Sequence, residues 1–492
     1  MDKQSFRLLI VTSILVFCAT VICLASALTQ NRGMNHVSGA WVSLAVDVAD
    51  GVFYRPLVSE DGYGGTRFMP LQFLIHGSLI KAGGDPALTG HALSLLSMLA
   101  LMGGIYCLLR WMGVGRGLAA VCAILVLFSA VVQLALWTIR GDLLAAALNI
   151  WGLAFSARVL SDSPRKGSVW LAALFFVLAF TAKLTTIFGF AAAITAFFLS
   201  NHRKTARKLG LLTFVGVVLA AGLIHVASEG RALEAMRACA SGGATLEDIA
   251  KSPITWFRIA QGADPWSLAL IALAVSGLLL IPGSAWRELP SIALLATAGV
   301  TVFLFGSPGV DYNHLLDLHV IALIFFAVQL ARLRLDPSLG AVTLAMVAVM
   351  GSAYLLFRVR SSASMTPLRG DIVRTLERIS NSGGPLLSEN PWYPILKHER
   401  PYMLDPFMFR LISRRNPSLA HDLSEKLQEH FFRAVILQND PQTVAGKYEL
   451  DDVHFGRGFT DELLGNYELE GRQGILLLYR PKGLTQGARR AQ

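Results

Sequence analysis

Charge is what this sequence has least of. Only 15% of its 492 residues are Asp, Glu, Lys or Arg, against 54% apolar residues. A water-soluble domain of this length does not have that balance. The formal net charge of +10 does not indicate nucleic-acid binding, because the basic residues fall mostly in short loops between apolar runs. Cysteine is scarce as well. Of Cys18, Cys23, Cys107, Cys122 and Cys239, four lie inside apolar runs, where the thiol behaves as a small hydrophobe. No pair suggests a disulfide, and no spacing suggests a zinc site. There is no internal repeat and no low-complexity tract, which weakens an inverted-repeat transporter reading.

What the chain has in quantity is long apolar runs, several near the 20 residues or so that a spanning helix needs. The hydropathy pattern predicts about eleven transmembrane helices, at 7–28, 88–109, 117–136, 142–158, 168–182, 185–199, 209–227, 266–281, 290–306, 314–331 and 340–357. Residues 1 to 27 resemble a signal peptide, with Lys3, Arg7 and Ala25-Ser26-Ala27. The apolar run is longer than a signal core, which favours an uncleaved first helix. With the N-terminus cytoplasmic, the clusters at Arg110 and Arg116, Arg158 to Lys166, Arg203 to Lys208, Arg287, and Arg332 and Arg334 all fall inside. The 32-residue run 168–199 divides at Thr181-Ala182-Lys183-Leu184-Thr185, its only polar break. That break places Lys183 at the outer surface.

The reading is therefore an all-α polytopic membrane protein with a small C-terminal α/β domain outside the membrane. The domains are 1–360, including a first extracytoplasmic loop at 29–87, and 361–492. PLLS at Pro385, FRAVILQ at Phe432 and GILLLYR at Gly474 predict strands, with helices near 408–414 and 421–430. No Gly-rich phosphate loop follows any of these strands, so a lid or docking module is the expected role of the region.

The stretch from Asn35 to Leu71 is far more elaborate than a turn between two spans requires. Trp41, Leu44, Ala45 and Val48 recur at i, i+3, i+4 and i+7, with Ser43, Asp47 and Asp50 opposite them. The pattern predicts a helix capped by Ser38, ended by Gly51 and lying on the bilayer with its carboxylates facing water. A second helix, Leu71 to Lys81, is expected after Pro70, stopped by Gly83 and Gly84.

An interfacial helix followed by D-G-x-x-Y-R-P, a Gly-rich turn and R-F-x-P-L resembles the first outer loop of GT-C glycosyltransferases. The resemblance continues in RGDLLAAAL from Arg140, AFTAKLTT from Ala179 and NHLLDL from Asn313. It implies transfer of a sugar from a polyprenyl-phosphate donor to a glycan, lipid or protein acceptor at the outer face of a bacterial inner membrane. One departure stands out. The family usually carries an acid at the start of the loop helix, and here the chain reads Val37-Ser38-Gly39.

Such a transfer needs a base or positioning group for the acceptor hydroxyl and cations for the phosphate leaving group. The candidates on the acceptor side are Asp47, Asp142, Asp50 and His36. Arg55, Arg67, Arg140, Lys183, Asn313, His314 and Asp317 are candidates for binding substrate. No metal motif is present, although paired carboxylates leave room for Mg²⁺ or Mn²⁺. Membrane lipids are expected partners and nucleic acid is not. Two rivals stay open at this stage. A transporter or flippase would string charges along a path through the bilayer, and a non-catalytic relative would explain the missing acid.

Overall fold

The structure is a computed structural model. It describes residues 33–161, 167–240, 245–263, 265–281, 285–307, 310–332, 369–380 and 383–483, scattered positions between 7 and 25, and residues 165, 283 and 367. Among the described residues four helices are long and apolar enough to cross a membrane: Pro86–Trp111, Asp142–Leu160, Arg203–Ala227 and Tyr312–Arg332. The pair Arg116–Leu125 and Ala130–Trp137, bent by 66°, makes a fifth if counted as one span. Shorter apolar helices, such as Leu289–Leu304, pack among them. The expected span at 340–357 lies outside the described residues, as does much of that at 7–28.

The first described helix, α1 (His36–Ala49), is capped by Asn35, whose side chain accepts from the Ser38 amide. Ser38 is thus inside the helix, three residues past the cap. The end comes at Asp50, with Gly51 at φ 84° as the left-handed stop. Helix α2 (Leu71–Lys81) follows Pro70 as expected. Between them β1 (Val58–Ser59) and β2 (Gly62–Tyr63) form a short antiparallel hairpin. The spans used below are α3 (Pro86–Trp111) and α4 (Asp142–Leu160). After them come α5 (Ser168–Ala182) and α6 (Ile187–Leu199). The 168–199 run does break at Lys183, whose backbone is extended, and a 3₁₀ turn, Leu184–Thr186, leads into α6.

Residues 386–481 carry a four-stranded mixed sheet. Its strands are β3 (Leu386–Ser388), β4 (Ala434–Leu437), β5 (Tyr467–Gln473) and β6 (Leu476–Pro481), in the order β3-β4-β6-β5. β3 pairs with β4 in parallel, and the other pairs are antiparallel. β4 and β6 read as unbroken apolar runs because both sheet faces are covered. Val435 and Leu437 look into a core with Phe409, Leu423 and Phe455, while Ala434 and Ile436 look the other way. That second face shares one core with Trp41, Leu44, Tyr54 and Phe73 of the first loop.

The loop and the sheet region are therefore packed as one body. Tyr63 forms a parallel bridge to Met403. Its amide donates to the Tyr402 carbonyl at 2.8 Å, and the Leu404 amide donates to the Tyr63 carbonyl at 2.9 Å. Gly62, at φ 121°, permits this approach, since a Cβ there would stand 1.8 Å from the Tyr402 oxygen. This corrects the picture of α1 as a helix lying on lipid. Trp41, Leu44 and Ala45 are buried, and so are Ser43 and Asp47 on the opposite face. An amphipathic pattern specifies an apolar stripe but not whether lipid or protein covers it.

Candidate functional site

The sequence candidates separate into three groups and one outlier. The first group is a closed clamp. Asp47 is 2% exposed and accepts from Arg55 Nε at 2.6 Å and Nη2 at 2.9 Å. Arg55 also donates to Ser43 Oγ at 2.9 Å and to the Pro401 carbonyl at 2.7 Å. Arg400 Nε lies 3.2 Å from Asp47 Oδ1, the oxygen that also accepts from Arg55 Nη2. All of the Arg55 nitrogens are occupied, and the carboxylate faces two guanidinium groups. Asp50, three residues past Asp47 on the helix exit, is exposed and joins none of the groups.

The second group sits where the Arg140-Gly141-Asp142 turn opens α4 and Lys183 breaks the α5–α6 run. Lys183 Nζ donates to Asp142 Oδ1 at 2.6 Å, with both side chains largely buried. Trp41 of α1 closes over this turn, so that a Cβ on Gly141 would meet its ring at 2.9 Å. Arg140, His314 and Asp317 lie within electrostatic range of the Asp142–Lys183 pair, and Arg67 within range of His314. His314 and Asn313 share the 3₁₀ turn Tyr312–Leu315, which leads into the span holding Asp317. The Arg67 guanidinium rests against the Phe407 ring, 5.9 Å from its centroid.

Arg140 is the unusual member. It is only 9% exposed, yet among the described residues it has no ion pair and no hydrogen bond, and its Nε is buried without a partner. Asp142 lies within electrostatic range of it but is hydrogen-bonded to Lys183 instead. The Arg140 and Lys183 cations thus share one bonded carboxylate, Asp142, and the guanidinium is left free to meet an anion.

The third group joins His36 to residues that the sequence reading passed over. The His454 ring packs edge-on against His36, with centroids 4.9 Å apart. His454 Nδ1 lies 3.0 Å from Glu389 Oε1. Glu389 stands just beyond the end of β3 and accepts from the Gln438 and Asn439 amides at 2.7 and 3.1 Å. Burial alone would raise its pKa, but His454 and the two amides together hold it below the ordinary glutamate value. The signal available in the sequence was a carboxylate directly after a predicted strand, in PLLSEN. Among the described residues, no group of three or more His, Cys, Asp or Glu side chains is arranged to hold a metal ion.

No protein-family model matches this sequence, and no curated protein matches it. Solved structures do. ArnT from Cupriavidus metallidurans, crystallised with undecaprenyl phosphate, superposes over 95% of this chain and 97% of its own, with a TM-score of 0.61 at 14% identity. The chain has the GT-C fold. The oligosaccharyltransferase AglB from Archaeoglobus fulgidus, in complex with an inhibitory peptide and a dolichol-phosphate, shares it over 98% of this chain and 74% of its own. There the TM-score is 0.58 at 11% identity. The same archaeal enzyme with Zn and sulfate superposes at a TM-score of 0.56 and 13% identity, covering 94% of this chain and 71% of its own. The likeness to the GT-C fold spans the membrane helices, the first loop and the sheet region alike.

Proposed function

We propose that this chain is an integral membrane glycosyltransferase that moves a sugar from a polyprenyl-phosphate donor to a glycan, lipid or protein acceptor. The observation that carries the reading is Arg140, largely buried and with no hydrogen-bonded partner among the described residues, beside an Asp142 already bonded to Lys183. A guanidinium is shaped for phosphate, and a phosphate would meet the charge that the protein itself leaves unmet. Lys183, steered by Asp142, supplies the second cation, with Arg67 and the Asn313–His314 turn near by. ArnT with undecaprenyl phosphate and AglB with a dolichol-phosphate support a lipid-linked phosphate as the ligand.

Direct displacement at the anomeric carbon, with inversion, fits a site whose cations, Arg140 and Lys183, stand on the donor side. The charge of the leaving phosphate is met by Arg140 and Lys183 whether or not a divalent cation, Mg²⁺ or Mn²⁺, joins them. The remaining parts of the proposal concern placement. They are about eleven spans, a cytoplasmic N-terminus, and an inner-membrane location with the first loop and residues 361–492 outside. Purified chain, extracted and analysed by mass spectrometry, is expected to carry polyprenyl phosphate. Protein that neither retains nor rebinds added undecaprenyl phosphate would remove the basis of the proposal.

A further inference from the structure

We propose that His36 takes the proton from the acceptor hydroxyl, and that Glu389 and His454 of the sheet region hold it in position to do so. The inference rests on the glycosyl-transfer reading above and adds the acceptor side to it. The first turn of α1 contains no acid. Gly39 cannot be replaced by one in place, because a Cβ there would stand 2.4 Å from Asn390 Oδ1 and 2.7 Å from the Trp392 amide. The sheet region seals that position. Next to the seal it brings in a carboxylate of its own, since Glu389 immediately precedes Asn390.

Of the third group only His36 keeps some of its surface accessible, and among the described residues neither of its ring nitrogens has a hydrogen-bond partner. Behind it everything is fixed. His454 is buried, and Glu389, 1% exposed, is pinned by two backbone amides and the Asn439 side chain. Asn390 Nδ2 donates to the Met34 carbonyl at 2.8 Å, which ties the same corner to the start of α1. Ser38 reaches the other way, accepting from the Ile139 amide at 3.2 Å, one residue before Arg140. That one hydrogen bond ties the turn carrying the acceptor-side imidazole to the segment carrying the phosphate-side guanidinium.

The groups acting on His36 are His454, Glu389 and Arg140. Burial, then His454, pulls its pKa down to about 3, with Glu389 opposing and Arg140 adding to the fall. The resting ring is neutral and able to accept a proton. The hydroxyl proton becomes acidic once its oxygen has begun to bond to carbon, and it is at that stage that a neutral imidazole takes it. In the balanced step the hydroxyl oxygen bonds to the anomeric carbon and the bond from that carbon to the phosphate oxygen breaks. The bonding pair departs with polyprenyl phosphate beside Arg140 and Lys183. The hydroxyl proton passes to a ring nitrogen of His36, and the buried charge of Glu389 favours the imidazolium that results.

The test uses the full chain restored to cells from which its gene has been deleted, with their lipids and glycans compared by mass spectrometry. Binding of undecaprenyl phosphate is measured on the purified protein in nanodiscs. Deletion is expected to remove a glycoconjugate. His36→Gln should lower its rate of formation by about 100-fold or more. Glu389→Gln and His454→Gln should lower it by about tenfold through misplacement of the ring. In all three variants undecaprenyl phosphate affinity should stay unchanged, a split that loss of folding does not produce. Full activity of His36→Gln would overturn the proposal. Parallel loss of rate and binding in both Glu389→Gln and His454→Gln would reduce that pair to a structural role and overturn its part. If deletion removes no glycoconjugate, or the wild type does not bind undecaprenyl phosphate, the glycosyltransferase reading itself falls.

Discussion

Two charge clusters in this molecule have the same ingredients and opposite character. In one, Arg55 and Arg400 surround Asp47; in the other, Arg140 and Lys183 surround Asp142. Both lie where the first loop meets another part of the chain. In the Asp47 cluster the central guanidinium is bonded at each nitrogen, and one of those bonds crosses 346 residues of sequence to Pro401. In the Asp142 cluster the Arg140 guanidinium has no hydrogen-bond partner among the described residues, and its Nε is buried. Satisfied charges lock the loop to the sheet region, whereas an unsatisfied one keeps a place for a ligand. The same residue types therefore contribute to the fold at one site and to binding at the other, and the hydrogen bonds tell them apart.

The largest effect expected from this contrast is on stability. Arg55→Ala leaves Asp47 buried with only the half-exposed Arg400 beside it, and should destabilise the docked loop by about 3–5 kcal/mol. Thermal unfolding followed by tryptophan fluorescence measures it. Arg140→Ala should do the reverse, leaving stability unchanged or raised, while undecaprenyl phosphate affinity falls by about 100-fold. If Arg140→Ala unfolds the protein as Arg55→Ala does, the distinction between the clusters is lost.

A smaller loss is expected at Lys183, because Asp142 already shares its charge. Lys183→Ala should weaken undecaprenyl phosphate binding by about tenfold. In a background free of other reactive thiols, a cysteine at 183 should react with an impermeant reagent from outside the cell. Bound undecaprenyl phosphate should protect it. Labelling only from the cytoplasmic side would invert the proposed topology. The smallest effect belongs to Asp50, exposed and outside both clusters. Asp50→Asn should change stability by less than about 0.5 kcal/mol and leave binding unaltered.

The parts of this arrangement that were legible in the sequence are those set by local pattern. The break at Lys183 followed from one polar interruption in an apolar run, and α2 followed from Pro70 and the glycines beyond it. β3, β4 and β6 announced themselves as apolar stretches. β5, reading YELEGRQ, did not, because it is an edge strand whose side chains are mostly polar and turned to solvent. Long-range partners were beyond reach. Nothing near Asp47 names Arg400, and nothing near His36 names His454 or Glu389. Arg140 was recognisable as a candidate, but its lack of a partner is a property of the folded chain alone.

The measurement that bears most directly on the central claim is an experimental structure with undecaprenyl phosphate bound. The account predicts the phosphate within hydrogen-bonding distance, roughly 3 Å, of the Arg140 guanidinium, with Lys183 Nζ facing it and the Asp47–Arg55 clamp unchanged. A phosphate held by Arg55 or Arg400, with Arg140 turned onto a carboxylate, would contradict it.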